Sequence, residues 1–338
     1  MSSAGSRTGA RPAAPAGAGR PYRSALRADG PPLLTAAFGR RGVVNPIRDG
    51  LSALGWSFDL HDITPLPTAF RMMVNERSFH VAEMALTTLA MAIEHGRPMI
   101  GLPVVLNRDF HYRSIVVGAD SGIRAPEDLI GRRVGVRAYS QTTGVWVRGL
   151  LASKYDIAPE QMRWVTFEAA HVAEYVDPPH VTRAPDGASI AGLLASGDLD
   201  AAVIMDPHLD PGIARPLFPD APDRARSAYE STGIYPVNHV VAVDTALLEE
   251  LPGIADELYG LFLESKRRYQ RQLREDGPTT AQDEYALQLE GIVGGDFNPY
   301  GLAANRESCA TLIDYAHRQG LLRHPVDVDD IFHHPACP

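Results

Sequence analysis

Cysteine is scarce in this chain: Cys309 and Cys337 are the only two in 338 residues. They form neither a disulfide framework nor a metal-type spacing, so a reducing compartment is expected. Positive charge is short as well. Thirty-two lysines and arginines face 41 aspartates and glutamates, for a formal net charge of −9. Proteins that ride on phosphate backbones carry the opposite excess, which argues against nucleic acid as a partner. No apolar run reaches bilayer length, so no membrane span is expected. Internal repeats are absent, and low-complexity sequence is confined to the first thirty residues. These are rich in Ala, Gly, Pro and Arg and lack the continuous apolar core of a secretory signal. Residues 1–30 read as a disordered leader, and the cytoplasm is the expected location.

What remains has an ordinary globular composition, 45% hydrophobic and 22% charged, in a length that suits two lobes with sizeable cores. Apolar runs of strand length alternate with stretches of helical periodicity, the signature of an α/β chain with mainly parallel sheets flanked by helices. Two such blocks precede a C-terminal block with a single clear strand, which cannot build a sheet of its own. The chain therefore divides into a discontinuous first lobe, 31–120 plus 239–338, and a second lobe, 121–238. Crossings are expected near 119–131 and 235–240. Ligand sites in such sheets lie at the carboxyl ends of strands, here facing a cleft between the lobes.

One strand-to-helix corner is chemically dense. In "RRVGVRAYSQTTGVWVRGLL" (132–151) the turn carries Tyr139, Ser140, Gln141, Thr142 and Thr143. Ser and Thr cap any helix, and capping accounts for them as a pattern. The same residues, with the free amides of a helix N-terminus, also suit an anion.

Longer segments narrow the choice. "ADSGIRAPEDLIGRRVGV" (119–136), "LLASGDLDAAVIM" (193–205) and the strand-helix run from 240 resemble the type II periplasmic-binding-protein fold. "FHVAEMALTTLA" (79–90), "HYRSIVV" (111–117), the 132–151 segment, "TGIYPVNHVVAV" (232–243), "FNPYGLAANR" (297–306) and "YAHRQGL" (315–321) together resemble the 4,5-dihydroxyphthalate decarboxylase family, in order, from about 79 to 322. The resemblance implies an enzyme that removes CO2 from an electron-rich aromatic carboxylate without an organic cofactor. Glu83, Ser114, Tyr139, Thr142, Trp146, Arg148, His239, Tyr300, Asn305 and Arg306 match the family pattern. The chain departs from it where a substrate would be read. His111-Tyr112 replaces an Arg-His pair, with an arginine following at 113. The corner has lost its Glu and Met, His80 replaces an aspartate, and "IMDPHLDPG" (204–212) has no counterpart.

Decarboxylation needs an anchored carboxylate, a proton for the ring carbon and stabilisation of the charge left on the ring. The resemblance tips the corner toward anchoring, through Tyr139, Ser140, Gln141 and Thr142, with Ser114, Arg113 and Arg148 as further substrate contacts. His239, at the second crossing, is the expected proton donor, helped by Glu83 and His111. Its plainer role would be to hold the hinge backbone, and Glu83 could simply complement a helix dipole. Asp206 and Tyr300 are candidate substrate readers. No metal is expected; a divalent ion, if used, would fall to His80, Glu83 and His111, weakly supported by an H-x-x-E spacing. The expected partner is a small aromatic carboxylate, and the apolar C-terminal helices offer a surface for a homodimer. Two other classes compete: a non-catalytic binding protein for a small carboxylate, and an enzyme doing different chemistry on a related acid. Release of CO2 separates the first reading from both.

Overall fold

The computed structural model describes residues 21–52, 55–204 and 210–333. Among the described residues eleven strands form two sheets. The first contains β1 (Leu33–Ala37), β2 (Ser57–Leu60), β3 (Val81–Ala85), β4 (Met99–Arg108) and β11 (Val237–Asp244), in the order β2-β1-β3-β11-β4. The second contains β5 (Ile115–Gly118), β6 (Arg133–Val136), β7 (Arg163–Thr166), β8 (Val181–Arg183), β9 (Ala201–Val203) and β10 (Ala214–Pro216), in the order β10-β5-β9-β6-β7-β8. Strands such as β3, in which all five residues are buried, read as near-continuous apolar runs because helices cover both faces.

Both sheets are mixed. β1 pairs in parallel with β2 and β3, and β6 in parallel with β7 and β9, as the alternating pattern predicts. The antiparallel pairs cluster at the chain crossings: β11 runs antiparallel to β3 and β4, and β5 antiparallel to β9 and β10. The first crossing falls at 109–114, earlier than the sequence suggested, so β5 belongs to the second sheet. The return occupies 217–236, and Val237 and His239 already pair with β4 in the first sheet. Arg108 at the end of β4 lies opposite Val237 at the start of β11, so the two crossings leave the first sheet side by side. His111 makes its part of the turn in the left-handed region, at φ 41°, a conformation uncommon for a residue with a Cβ.

Two helices stand by the return crossing, and the second lines the cleft through Ala281, Gln282 and Tyr285. Ala221–Thr232 lies on the return crossing, and Ala281–Val293 packs against it. The helix Leu302–Arg318 returns across the second lobe and packs on Thr142–Tyr155, where Gly149 permits close approach. A Cβ at Gly149 would sit 2.0 Å from the Tyr315 ring. Among the described residues no helix is long and apolar enough to cross a membrane.

Candidate active site

Strand register sets the central pair. Glu83 on β3 lies opposite Val241 on β11, and His239 lies opposite Ala85. Side chains two apart share a face, so Glu83 and His239 become diagonal neighbours. Glu83 is fully buried. Its Oε1 accepts from His239 Nδ1 at 2.6 Å and from Arg41 Nε at 2.9 Å, and Oε2 accepts from the Gly39 amide at 2.8 Å. Burial by itself would raise the Glu83 carboxyl. The Arg41 cation and the His239 hydrogen bond outweigh it and hold the group well below the usual carboxylate range. Glu83 is thus a fixed anion behind the imidazole.

His239 stands between Glu83 and the cleft. Burial lowers its pKa; Glu83 opposes that shift, while the cations of Arg41 and Arg137 add to it. The ring is therefore neutral at rest, with the Nδ1 proton given to Glu83. No hydrogen bond from the described residues reaches Nε2. Phe70 packs edge-on against the ring at 5.2 Å and against His171 at 5.6 Å.

The cleft is a cavity of about 740 Å³ between the lobes, and His239, Arg113, Gln141 and Thr142 line it. It is also lined by three arginines that sequence reasoning missed, Arg41, Arg108 and Arg137, and by Thr88, Thr143, His171, Asn238 and Tyr285. Among the described residues four guanidinium groups thus line the cavity with one carboxylate, Asp109. Asp109 accepts from Arg113 Nε at 2.8 Å and from the Tyr285 hydroxyl, and Arg113 lies 3.6 Å over the Tyr285 ring. Arg137 donates to Glu168, which stands outside the cavity wall. Arg108 has no carboxylate among its hydrogen bonds. It donates to Asn305 Oδ1 and to the Tyr235 carbonyl, and lies 3.6 Å from the Tyr235 ring centroid. Burial pulls its pKa down to about 10, so it remains a cation at neutral pH. A concave site with this excess of positive charge attracts anions. The missed arginines were findable: Arg41 follows β1 by a short loop, Arg108 ends β4 and Arg137 follows β6, all at carboxyl ends of strands.

The corner at 139–143 divides its labour. Gln141 is the N-cap of the helix Thr142–Tyr155, and no side chain caps it. The Thr142 hydroxyl donates to Thr87 Oγ1 at 3.1 Å and accepts from the Thr87 amide at 3.3 Å. Thr143 Oγ1 accepts from Asn238 Nδ2 at 3.2 Å. The hydroxyls thus join the lobes, and the first-turn amides beside the cavity are left without intrahelical acceptors.

Several expected site residues lie elsewhere. Tyr139 is buried inside the second lobe, with its hydroxyl 3.1 Å from His180 Nε2 and its ring 3.8 Å beneath the Arg148 guanidinium. Arg148 is fully buried and donates to Gln319 and the Tyr139 carbonyl, so it braces the lobe and clamps no carboxylate in the cleft. Ser140 and Ser114 are buried and outside the cavity lining. Tyr300 packs 4.4 Å from Lys266 Nζ, away from the cavity. His111 is buried behind the wall and donates through Nε2 to Asn238 Oδ1 at 2.7 Å, so it reaches the cavity only through Asn238. His80 accepts from the Thr35 amide and donates to the Arg23 carbonyl, which ties the N-terminal segment to the first sheet. The possible metal set His80, Glu83 and His111 is not brought together. Among the described residues no three His, Cys, Asp or Glu side chains cluster to hold an ion. Asp206 lies outside the described residues.

Two α/β lobes joined by paired crossings, with an anion-attracting cavity between them, define a periplasmic-binding-protein-type fold. The alkanesulfonate-binding protein SsuA from Xanthomonas axonopodis pv. citri, bound to MOPS, superposes with a TM-score of 0.55 over 91% of this chain and 100% of that one, at 12% identity. No family model matches the chain. Two curated proteins do, both called 4,5-dihydroxyphthalate decarboxylase. The one from Comamonas testosteroni is 27% identical over 89% of this chain and 96% of its own length. The one from Pseudomonas putida is 30% identical over 50% of this chain and 69% of its own length. The chain belongs to the 4,5-dihydroxyphthalate decarboxylase family, and so to the carboxy-lyases.

Proposed function

We propose that the chain decarboxylates a hydroxylated phthalate- or benzoate-like acid in the interlobe cavity, with His239 delivering a proton to the ring carbon that loses CO2. The observation that carries this reading is the Glu83–His239 pair, whose unpartnered Nε2 belongs to a cavity lined by four arginines. A carboxylate would bind among Arg113, Arg137 and the first-turn amides at 142–144. Its charge raises the proton affinity of the neighbouring imidazole, so substrate entry draws a proton onto Nε2. Loss of CO2 leaves its bonding electron pair on the ring carbon. That carbon takes the Nε2 proton, and the arginines stabilise charge on the ring hydroxyls. The carboxylate of the substrate and one proton thereby become CO2 and a C–H bond. The step uses no organic cofactor, and the reading places it in the cytoplasm.

The test is CO2 release from a panel of hydroxylated phthalates and benzoates, with and without a chelator, by wild type and His239→Gln. General acid catalysis supplies about 10²–10⁴-fold, so the variant should lose about that much in kcat while retaining its fold. Full activity in His239→Gln would remove the proton role. Tight binding of an acid without CO2 release would favour the binding-protein reading. Loss of release with the chelator, restored by a divalent ion, would require a metal held by groups other than the dispersed trio.

A further inference from the structure

His239 has a strand neighbour on each side. Ala85 on β3 lies opposite it on one side, and Asn107 on β4 lies opposite it on the other. Side chains paired in this way share a face, with their Cβ atoms about 4.5–5.5 Å apart. The β4–β11 register shifts on either side of the Asn107–His239 pair, an irregularity of the kind that re-aims side chains. Asn107 and Arg108, though successive, both line the interlobe cavity. Asn107 is partly exposed, and its amide makes no hydrogen bond to the described residues. Neither of its polar atoms is closed off by burial, so both meet the cavity.

The other groups of the cavity give this amide its use. A guanidinium only donates, so the arginines can hold a carboxylate but cannot receive the proton of a ring hydroxyl. That proton needs an acceptor. The Asp109 oxygens are engaged by Arg113 and Tyr285. The threonine hydroxyls of the corner and Asn238 are bonded to one another's elements or to His111. Gln141 Oε1 and His171 Nε2 have essentially no accessible surface, and on the proposed reaction His239 Nε2 carries the proton. Among the described lining residues the free side-chain amide oxygens are those of Asn107 and Gln282. Gln282 is exposed on the first turn of the helix Ala281–Val293, whereas Asn107 adjoins the imidazole.

We propose that Asn107 is the specificity residue that reads the ring hydroxyl: its Oδ1 accepts from a phenolic O–H of the acid bound beside His239. The inference rests on the reading above for the class of ligand, and not for the reaction. A site with a free acceptor prefers the hydroxylated acid, because an analogue without the hydroxyl leaves that acceptor unpaired when the lobes close over it. A carboxylate at this position would accept equally well but would repel the anion held by the arginines. The neutral amide accepts without that repulsion.

The experiment measures equilibrium binding to the full chain by isothermal titration calorimetry, with benzenesulfonate and 3,4-dihydroxybenzenesulfonate. Both keep the ring and an anion and have no CO2 to lose, so the result is independent of catalysis. Wild type should bind the dihydroxy ligand about tenfold more tightly. Asn107→Leu and Asn107→Ala, at a partly exposed position, should erase that preference and leave the affinity for benzenesulfonate within about twofold. Asn107→Asp should weaken both ligands and keep their ratio, and Gln282→Leu should leave the ratio unchanged. The proposal is overturned by the absence of a hydroxyl preference in wild type, by a preference that survives in Asn107→Leu and Asn107→Ala, or by an equal loss of both ligands in those variants, the mark of a merely structural role. CO2 release, measured beside it, separates the two readings. No release with the expected ratios removes the reaction and keeps Asn107 as the hydroxyl reader; release with an unchanged ratio in Asn107→Leu keeps the reaction and removes the reader.

Discussion

Replacing Glu83 with glutamine tests whether the buried carboxylate governs the imidazole or merely fills the sheet. The side chains have nearly the same shape, so packing is kept while the charge is removed. In the native chain the carboxylate accepts from the Gly39 amide, from Arg41 and from His239. A glutamine oxygen cannot accept from all three directions, and its NH2 group would face donors. Charge-assisted hydrogen bonds contribute about 1.5–3 kcal/mol each. Arg41 is partly exposed and regains water, so a net destabilisation of about 2–4 kcal/mol is expected. The effect on turnover separates the readings. Without its adjacent anion the His239 imidazolium is disfavoured, and kcat should fall by about 10²–10³-fold. The pH limb of kcat that reports this group should move to lower pH. Glu83→Asp keeps the charge but withdraws it by one methylene, so it should recover part of the rate. The assay is CO2 release across pH, beside thermal unfolding. Stability follows its own sign. The folded carboxyl lies below its unfolded value, so its stabilisation is present above about pH 4.3 and is lost as pH falls further. Wild-type kcat and an unmoved pH profile in Glu83→Gln, with only the melting temperature lowered, would refute the positioning role.

Three further outcomes follow from the packing and charge. Arg137→Gln should raise KM by about tenfold for a diacid, and less for a monoacid, with kcat little changed, because it removes a ground-state anchor; steady-state kinetics on paired substrates would check it. His171 is buried, and burial with the Arg137 and Arg71 cations pulls its pKa down to about 3. The unfolded chain therefore binds the extra proton first, and between about pH 6.5 and 3 this residue costs up to about 1.4 kcal/mol of stability per pH unit of acidification; denaturant titrations should show a shallower acid dependence in His171→Leu. Gly149→Ala should destabilise by about 1–3 kcal/mol through overpacking against Tyr315, measured as a lowered melting temperature.

The alternation of apolar runs was enough to read the α/β class and most strands, because buried strands must be apolar whatever their partners, but it passed over the short edge strands β8 and β10. It could not reveal direction. β5 and β11 look like any other apolar strand, and only the return of the chain makes them antiparallel. Glu83 and His239 were legible as residues because both match the family pattern, while their adjacency comes from the β3–β11 register, which the sequence does not show. Arg148 and Tyr139 match that pattern equally well, yet they stack on each other inside the second lobe. A matched residue in one sequence carries no sign of whether it is kept for substrate or for packing. His111 and His80 were misread for a related reason: each satisfies backbone or amide groups that only the fold brings near. The arginines escaped because a guanidinium after a strand looks like ordinary surface charge.

The hydroxyl-rich corner fits the seam between the lobes better than capping. Thr142 bonds Thr87, Thr143 bonds Asn238, and the Thr88 hydroxyl lies 2.9 Å from His171 Nδ1. Each such neutral bond contributes about 0.5–1.5 kcal/mol. Glu168 is held by Arg71 from the first lobe and Arg137 from the second, but the Arg71 pair is more than a third exposed and contributes only about 0–1 kcal/mol. A seam of weak bonds closes the cavity without locking it. A ligand carboxylate set between the two lobes adds charge-assisted bonds to both sides at once, so its own binding energy favours the closed state. On the proposed reaction, closure would exclude water from around His239 and strengthen the charge interactions there. Short hydroxyl side chains suit such a corner because their bonds to the facing lobe can re-form with water when the lobes part, whereas a buried ion pair in the same place would make opening costly.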